Sequence, residues 1–211
     1  MNTQEQARFN MVEQQIRPWQ VLDKAVLNVL SHVQRELFVP QAYQALAYTD
    51  TEIPLGHGQS MVPPRVDARL MHDLHLTGTE KVLEIGTGSG YLAALLAGRA
   101  QRVVSLEINP ELAATARANL QRAGITNVDV RVADGSAGAS GEAPFDAIVL
   151  GGSVAEVPQA LLQQGLRHFC HGATEHDGVE RGITRGSGAA VSHAHIHVGD
   201  ASALQLSLIH I

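Results

Sequence analysis

Gly86, Gly88 and Gly90 stand at alternate positions in VLEIGTGSGY, residues 82–91, with Glu84 two residues before the first. Glu107 follows Gly86 by 21 residues. Glycines so spaced let a backbone come close to a ligand, and a carboxylate at that distance can accept from both hydroxyls of a ribose. The spacing is not the G-x-G-x-x-G that sets a helix N-terminus against a pyrophosphate. No Lys-Ser or Lys-Thr follows, which excludes a P-loop. Glu84, placed just before the glycines, would repel a phosphate and attract an ammonium. Asp134-Gly135 can accept from an exocyclic amine such as that of adenine. Ribose, adenine and a cationic amino-acid end together describe S-adenosylmethionine. The expected cofactor set is therefore Glu84, Gly86, Thr87, Gly88, Gly90, Glu107, Ile108, Asp134 and Gly135.

Those residues need a scaffold that gathers strand ends. From Glu80 the chain alternates: KVLEIG and RVVSLEI read as strands with GYLAALLAGRA as the helix between them. PELAATARANLQRAG opens with Pro110 in a first turn and closes on Gly124, which marks a second helix. NVDVRVADG and FDAIVLGGS are two more strands. This order predicts a Rossmann-like, doubly wound parallel α/β sheet with its site at the carboxyl ends of the strands. Before it, residues 1–79 read as helices and loops. Val26, Leu27, Leu30, Val33 and Leu37 recur at helical spacing behind Asp23 as a cap, and the helix is expected to run until RELFVP stops it at Pro40. IPLGHGQSMVPP, with its glycines and prolines, is expected to be a structured loop rather than a regular element.

Composition narrows the class. A net charge of −6 gives no basic footprint for nucleic acid. No run approaches the ~20 apolar residues of a membrane span, and the polar N-terminus lacks the apolar core of a signal peptide. A single cysteine, Cys170, forms no intramolecular disulfide, and a cytoplasmic setting is expected.

MVEQQIRPW, RELFVP, IPLGHGQ, VLEIGTGSGY, NVDVRVADG and PFDAIVLGGSVAEVP, in that order, resemble the protein-L-isoaspartate O-methyltransferase family, in its short bacterial form. The resemblance runs from about residue 8 to Gln164. It implies the seven-stranded fold of the class I S-adenosylmethionine methyltransferases. It also implies methyl transfer to the free α-carboxyl of an isoaspartyl residue in a damaged protein or peptide. The chemistry is consistent with the residues present. A carboxylate with an ordinary pKa near ~4 is already a nucleophile at neutral pH, so no metal, thiol or strong base is required.

The acceptor loop departs from the family pattern. Aligning Gly58, Gln59 and Pro64 puts Val62 where the family carries a serine, and valine donates no hydrogen bond. Ser60, with Gln59, is then the candidate to hold the acceptor carboxylate, while His57 reads as a loop residue, since an ionised acceptor needs no base. Two other functions stay open: a methyltransferase for a different carboxylate or small molecule, and a non-catalytic cofactor-binding protein.

The tail departs further. The family expects a strand and a hairpin after LLQQ. Residues 165–211 instead gather seven of the 11 histidines and hold no lysine. The ending LSLIHI matches a translated sequencing-adapter end, so a change of reading frame near Gln164 is expected. On that reading the last strand pair is incomplete, residues 165–211 form a poorly structured tail behind the 80–164 core, and Cys170 has no role. His193, His195 and His197 have the alternation of a zinc-binding strand, but nothing around them would position it, and no metal site is expected.

Overall fold

The computed structural model describes residues 3–152, 159–173 and 205–210. Helix α1 (Thr3–Met11) runs into a π-helical turn at Val12–Ile16. Helix α2 (Lys24–His32) begins where the Asp23 carboxylate accepts from the amides of Ala25 and Val26, the expected cap. It ends at His32, not at Pro40. Val33 and Gln34 are extended, and a 3-10 turn at Arg35–Leu37 carries Arg35 into the interior. The helical spacing of Val33 and Leu37 is thus met by a different backbone, because a buried ion pair claims Arg35.

The segment expected as a loop is a hairpin. Strand β1 (Ile53–Gly56) pairs antiparallel with β2 (Gln59–Met61), with Pro54 opposite Ser60 and Ile53 opposite Met61. His57 and Gly58 make its two-residue turn, both with positive φ (53° and 70°), the twist that tight hairpins favour. The proline count hid this, because Pro54 sits where the strands have no other neighbour. Helix α3 (Pro64–Asp73) follows directly.

The main sheet comprises six strands among the described residues. In chain order, strand β3 (Lys81–Ile85), helix α4 (Tyr91–Ala97), strand β4 (Arg102–Glu107), helix α5 (Pro110–Arg122), strand β5 (Val128–Val132) and strand β6 (Phe145–Leu150) form the expected alternation. A short helix α6 (Gln159–Leu162) then leads into strand β7 (Gly165–Ala173), and β8 (Gln205–His210) comes last. The order across the sheet is β5-β4-β3-β6-β7-β8. Only β8 runs antiparallel to its neighbour. Strands β3, β4 and β6 are buried along nearly their whole length, as parallel strands covered on both faces must be. The chain reverses its winding at β3, so the crevice for a ligand opens at that strand's carboxyl end.

After LLQQ the described residues hold two strands, one fewer than the strand and hairpin of the family pattern. β7 and β8 are both present, in continuous register from His168↔His210 to Ala173↔Gln205. The free edge of β6 supplies a ladder of unpaired backbone groups, and neither segment contains a proline to interrupt pairing. Leu206 and Leu208 also have the two-residue spacing of a strand, which the histidine-rich composition obscured. His193, His195 and His197 lie outside the described residues.

One apolar core joins the N-terminal elements to the sheet. Met11, Ile16, Leu30 and Leu70 belong to the same buried cluster as Tyr91, Leu95, Val103 and Val149. The hairpin and α3 are therefore seated directly against the glycine loop.

Candidate active site

The glycine loop leaves β3 at Ile85 and turns into α4 at Tyr91. Gly86, Gly88 and Gly90 all hold positive φ (90°, 54° and 85°), a conformation that a side chain would strain. Gly86 is also wedged against the end of β6: a Cβ on Gly151 would lie 2.6 Å from the Gly86 carbonyl oxygen. Both positions need glycine, because the ends of β3 and β6 close on each other there.

Glu107, at the end of β4, holds this loop in place. Its Oε2 accepts from the Gly88 amide at 2.9 Å and its Oε1 from the Asn109 amide at 3.0 Å. Each carboxylate oxygen keeps a further lone pair for a hydroxyl donor. Ile108 beside it is 69% exposed, an apolar side chain left facing solvent at the strand ends. Asp134 is exposed and caps a 3-10 turn by accepting from the Ser136 amide at 2.9 Å, which holds its carboxyl below the usual range. Gly135 is buried with Ile85 beneath it, and a Cβ there would come within 2.2 Å of the isoleucine Cγ2.

Glu84 is not where the sequence reading put it. It is fully buried within β3, opposite Ser105 of β4, and is not among the residues around the pocket under the loop. The Ser105 hydroxyl donates to Glu84 Oε2 in a short hydrogen bond, and Thr87 Oγ1 lies 2.6 Å from Ser105 Oγ. Glu84, Ser105 and Thr87 thus form one buried chain of oxygens, and in the Ser105–Thr87 contact either hydroxyl can donate. Burial pushes the Glu84 carboxyl up to about 8, with Asp67 and Glu107 adding to the rise and Ser105 opposing it. Burial thus favours the neutral form of this carboxyl, and its side chain lies within the strand rather than in the pocket. A position in the middle of a covered strand decides this, and spacing alone did not show it.

The carboxylate that does reach the pocket is Asp67, on α3. It lies on the helix's buried stripe with Leu70, Met71 and Leu74, so a charge at an apolar position was the available signal. Arg35, with none of its surface exposed, donates from Nη1 to Asp67 Oδ2 at 2.8 Å and from Nη2 to the Val62 carbonyl at 2.6 Å. Its guanidinium also lies 4.5 Å from the ring centroid of Tyr91. Burial raises the Asp67 carboxyl to about 6, against the pull of Arg35, so it is mostly ionised at neutral pH. Nothing in RELFVP distinguished Arg35 from a surface residue.

These parts enclose one pocket of about 50 Å³. Thr87, Gly88 and Ser89 of the glycine loop, Asp67 and Tyr91 from the helices, and Ser60 and Val62 from the hairpin segment all line it. Leu55 of β1 closes it over Gly88, where a Cβ would meet its Cδ1 at 3.3 Å. Ser60 is exposed on the hairpin and faces this pocket, whereas Gln59 is exposed at the turn and does not line it. Val62, as expected, offers no hydroxyl. His57 points to α5, with Nε2 3.2 Å from Glu111 Oε2, in keeping with a loop role. A larger cleft of about 510 Å³ adjoins through Leu55 and Ser89, bounded by Pro40, His57, Thr115 and Arg122.

Known proteins resemble this chain in sequence and in fold. A sequence model described as Protein-L-isoaspartate(D-aspartate) O-methyltransferase matches residues 6–167. A protein-L-isoaspartate O-methyltransferase of Methanoculleus marisnigri is 46% identical over 157 residues, covering 74% of this chain and 71% of that protein. A protein-L-isoaspartate O-methyltransferase 2 of Marinobacter nauticus is 47% identical over 157 residues, covering 74% and 72%. Among solved structures, a protein-L-isoaspartate O-methyltransferase superposes with a TM-score of 0.67 at 25% identity, covering 81% of this chain and 55% of that one. An S-adenosylmethionine-dependent O-methyltransferase from Thermotoga maritima superposes at 0.55 with 17% identity, covering 81% and 71%, and shares the fold.

Proposed function

The chain belongs to the protein-L-isoaspartate(D-aspartate) O-methyltransferase family, and from that premise we propose how its residues carry out methyl transfer to the carboxyl of isoaspartyl residues in proteins. The observation that carries the reading is the shared pocket: Ser60 of the hairpin and Gly88 of the glycine loop face one small cavity. An acceptor held by the first meets a donor held by the second. S-adenosylmethionine supplies an activated methyl group on a sulfonium. The residues fit it. Gly86, Thr87, Gly88 and Gly90 give the close backbone approach, Glu107 accepts from ribose hydroxyls, and Ile108, Asp134 and Gly135 flank the adenine. Asp67, rather than Glu84, faces the cationic end.

The acceptor needs no deprotonation, since a carboxylate near ~4 is ionised at neutral pH. The chain's task is alignment. Ser60 donates to the acceptor carboxylate, Leu55 excludes water from above, and the buried α3–α4 wall does so from below. Positioning of this kind is worth effective molarities of roughly 10⁵ M or more. The adjoining cleft gives room for residues that flank the acceptor in a polypeptide. Gln59, at the turn, steadies the hairpin rather than touching the acceptor.

Val62 favours one second reading, in which the acceptor is a different carboxylate. Labelled methyl transfer to an isoaspartyl peptide, run beside its aspartyl counterpart, separates the two. Label in the isoaspartyl peptide alone is expected. Equal labelling of both, or of neither, would overturn the isoaspartyl assignment.

A further inference from the structure

We propose that Arg35 is a positioning residue for methyl transfer: its guanidinium ties the acceptor hairpin to the cofactor-side wall and so fixes the distance between acceptor and donor. This rests on the functional reading above and extends it to a residue that touches neither reactant.

The geometry is specific. One fork of Arg35 ends on the Val62 carbonyl and the other on Asp67, at 2.6 and 2.8 Å. Val62 is the last residue of the acceptor segment before Pro63 and Pro64, whose fixed φ angles make the junction stiff. Pinning its carbonyl therefore sets where Ser60 and Met61 lie. Asp67, at the other fork, is part of the pocket wall that faces the glycine loop. The ring of Tyr91, the first residue of α4, forms the floor under the guanidinium and packs edge-on against Phe38 at 5.6 Å. A single planar cation thus contacts the acceptor segment, the cofactor-side wall and the helix that the glycine loop enters.

Stability alone does not call for this arrangement. A buried ion pair is often no more stabilising than apolar side chains of similar volume. Arg35 also leaves its Nε without a hydrogen-bond partner among the described residues. What the guanidinium offers, and an apolar side chain lacks, is two directed donors at a fixed angle.

Arg35→Lys tests this in the full chain. Lysine keeps a charge for Asp67, but one ammonium on a flexible stem cannot reproduce the fork. Turnover of an isoaspartyl peptide is expected to fall by roughly 10- to 100-fold, as a displaced acceptor requires. The Kd for S-adenosylmethionine should stay within about threefold, because its uniform binding is not removed. Combining Arg35→Lys with Ser60→Ala should give a loss smaller than the product of the two, since both act through one hairpin. Turnover within about threefold of wild type, with only a lowered melting temperature, would make Arg35 a packing residue and overturn the proposal. Strictly multiplicative losses would overturn it as well. If neither Arg35→Lys nor Arg35→Gln yields folded protein, the residue serves folding and the proposal falls. A wild-type chain that binds S-adenosylmethionine yet never methylates the peptide would overturn the functional reading and this extension together, before any variant is compared.

Discussion

Replacing Glu84 by glutamine should make the protein more stable at alkaline pH and leave cofactor binding intact. The folded carboxyl titrates at about 8, against 4.5 for an unperturbed glutamate. The folded state therefore holds its proton more tightly than the unfolded chain. Its contribution to stability is full below about pH 4.5, and it is lost as pH rises through about 8. Each pH unit in that window removes about 1.4 kcal/mol, so the loss is about 3 kcal/mol at pH 7 and about 4 kcal/mol by pH 8. Glutamine keeps an acceptor for the Ser105 hydroxyl and has no proton to lose. Urea midpoints measured from pH 5 to pH 8.5 should converge at the acid end, with Glu84→Gln ahead by an amount that grows with pH. Titration calorimetry at pH 7 should give S-adenosylmethionine affinities within a factor of about two, because the amide resembles the neutral acid. Parallel stability curves, or a large loss of affinity, would show that Glu84 is ionised and acts on the cofactor after all.

Four further outcomes are expected. Glu107→Ala should weaken S-adenosylmethionine binding by about 2 to 4 kcal/mol in calorimetry, from the loss of charge-assisted hydroxyl contacts and of the Gly88 tether. Gly151→Ala should lower the melting temperature and the cofactor affinity together, since its Cβ would press on the Gly86 carbonyl and such overpacking costs about 1 to 3 kcal/mol. Val62→Ser should raise isoaspartyl turnover by roughly 10- to 150-fold, the equivalent of one hydrogen bond to a charged group, with cofactor affinity unchanged. S-adenosylmethionine affinity should fall as pH drops through about 6, where Asp67 gains a proton and loses its attraction for a cation, and Asp67→Asn should flatten that profile in calorimetric titrations.

The placement of the candidate cofactor residues at the strand ends was legible because its signals are local. Three glycines between a strand and a helix, an acid at the next strand end and an Asp-Gly after the third all fell at the carboxyl ends of β3, β4 and β5. Glu84 shows where that reasoning stops: the sequence places it before the glycines, and only the burial of β3 turns it into a neutral acid bonded to Ser105. Arg35 and Asp67 lie 32 residues apart in the chain and acquire meaning only when α3 packs beside the 3-10 turn. The hairpin was hidden by its own prolines, which a two-stranded ribbon tolerates. The β7–β8 pairing was masked by composition, because ladder formation depends on backbone groups that no residue type announces.

The hairpin that carries Ser60 is a two-stranded sheet of its own and shares no ladder with the six strands beside it. Evolution can therefore change its side chains without disturbing the backbone pairing that shapes the donor site. Acceptor preference can drift through changes at hairpin positions that leave Leu55 over Gly88 and the Val62 carbonyl on Arg35. The valine at position 62 has the form such drift would take: an altered acceptor surface above an intact glycine loop. A substitution confined to the hairpin's side chains reshapes the acceptor wall and leaves the strand pairing behind the donor site in place.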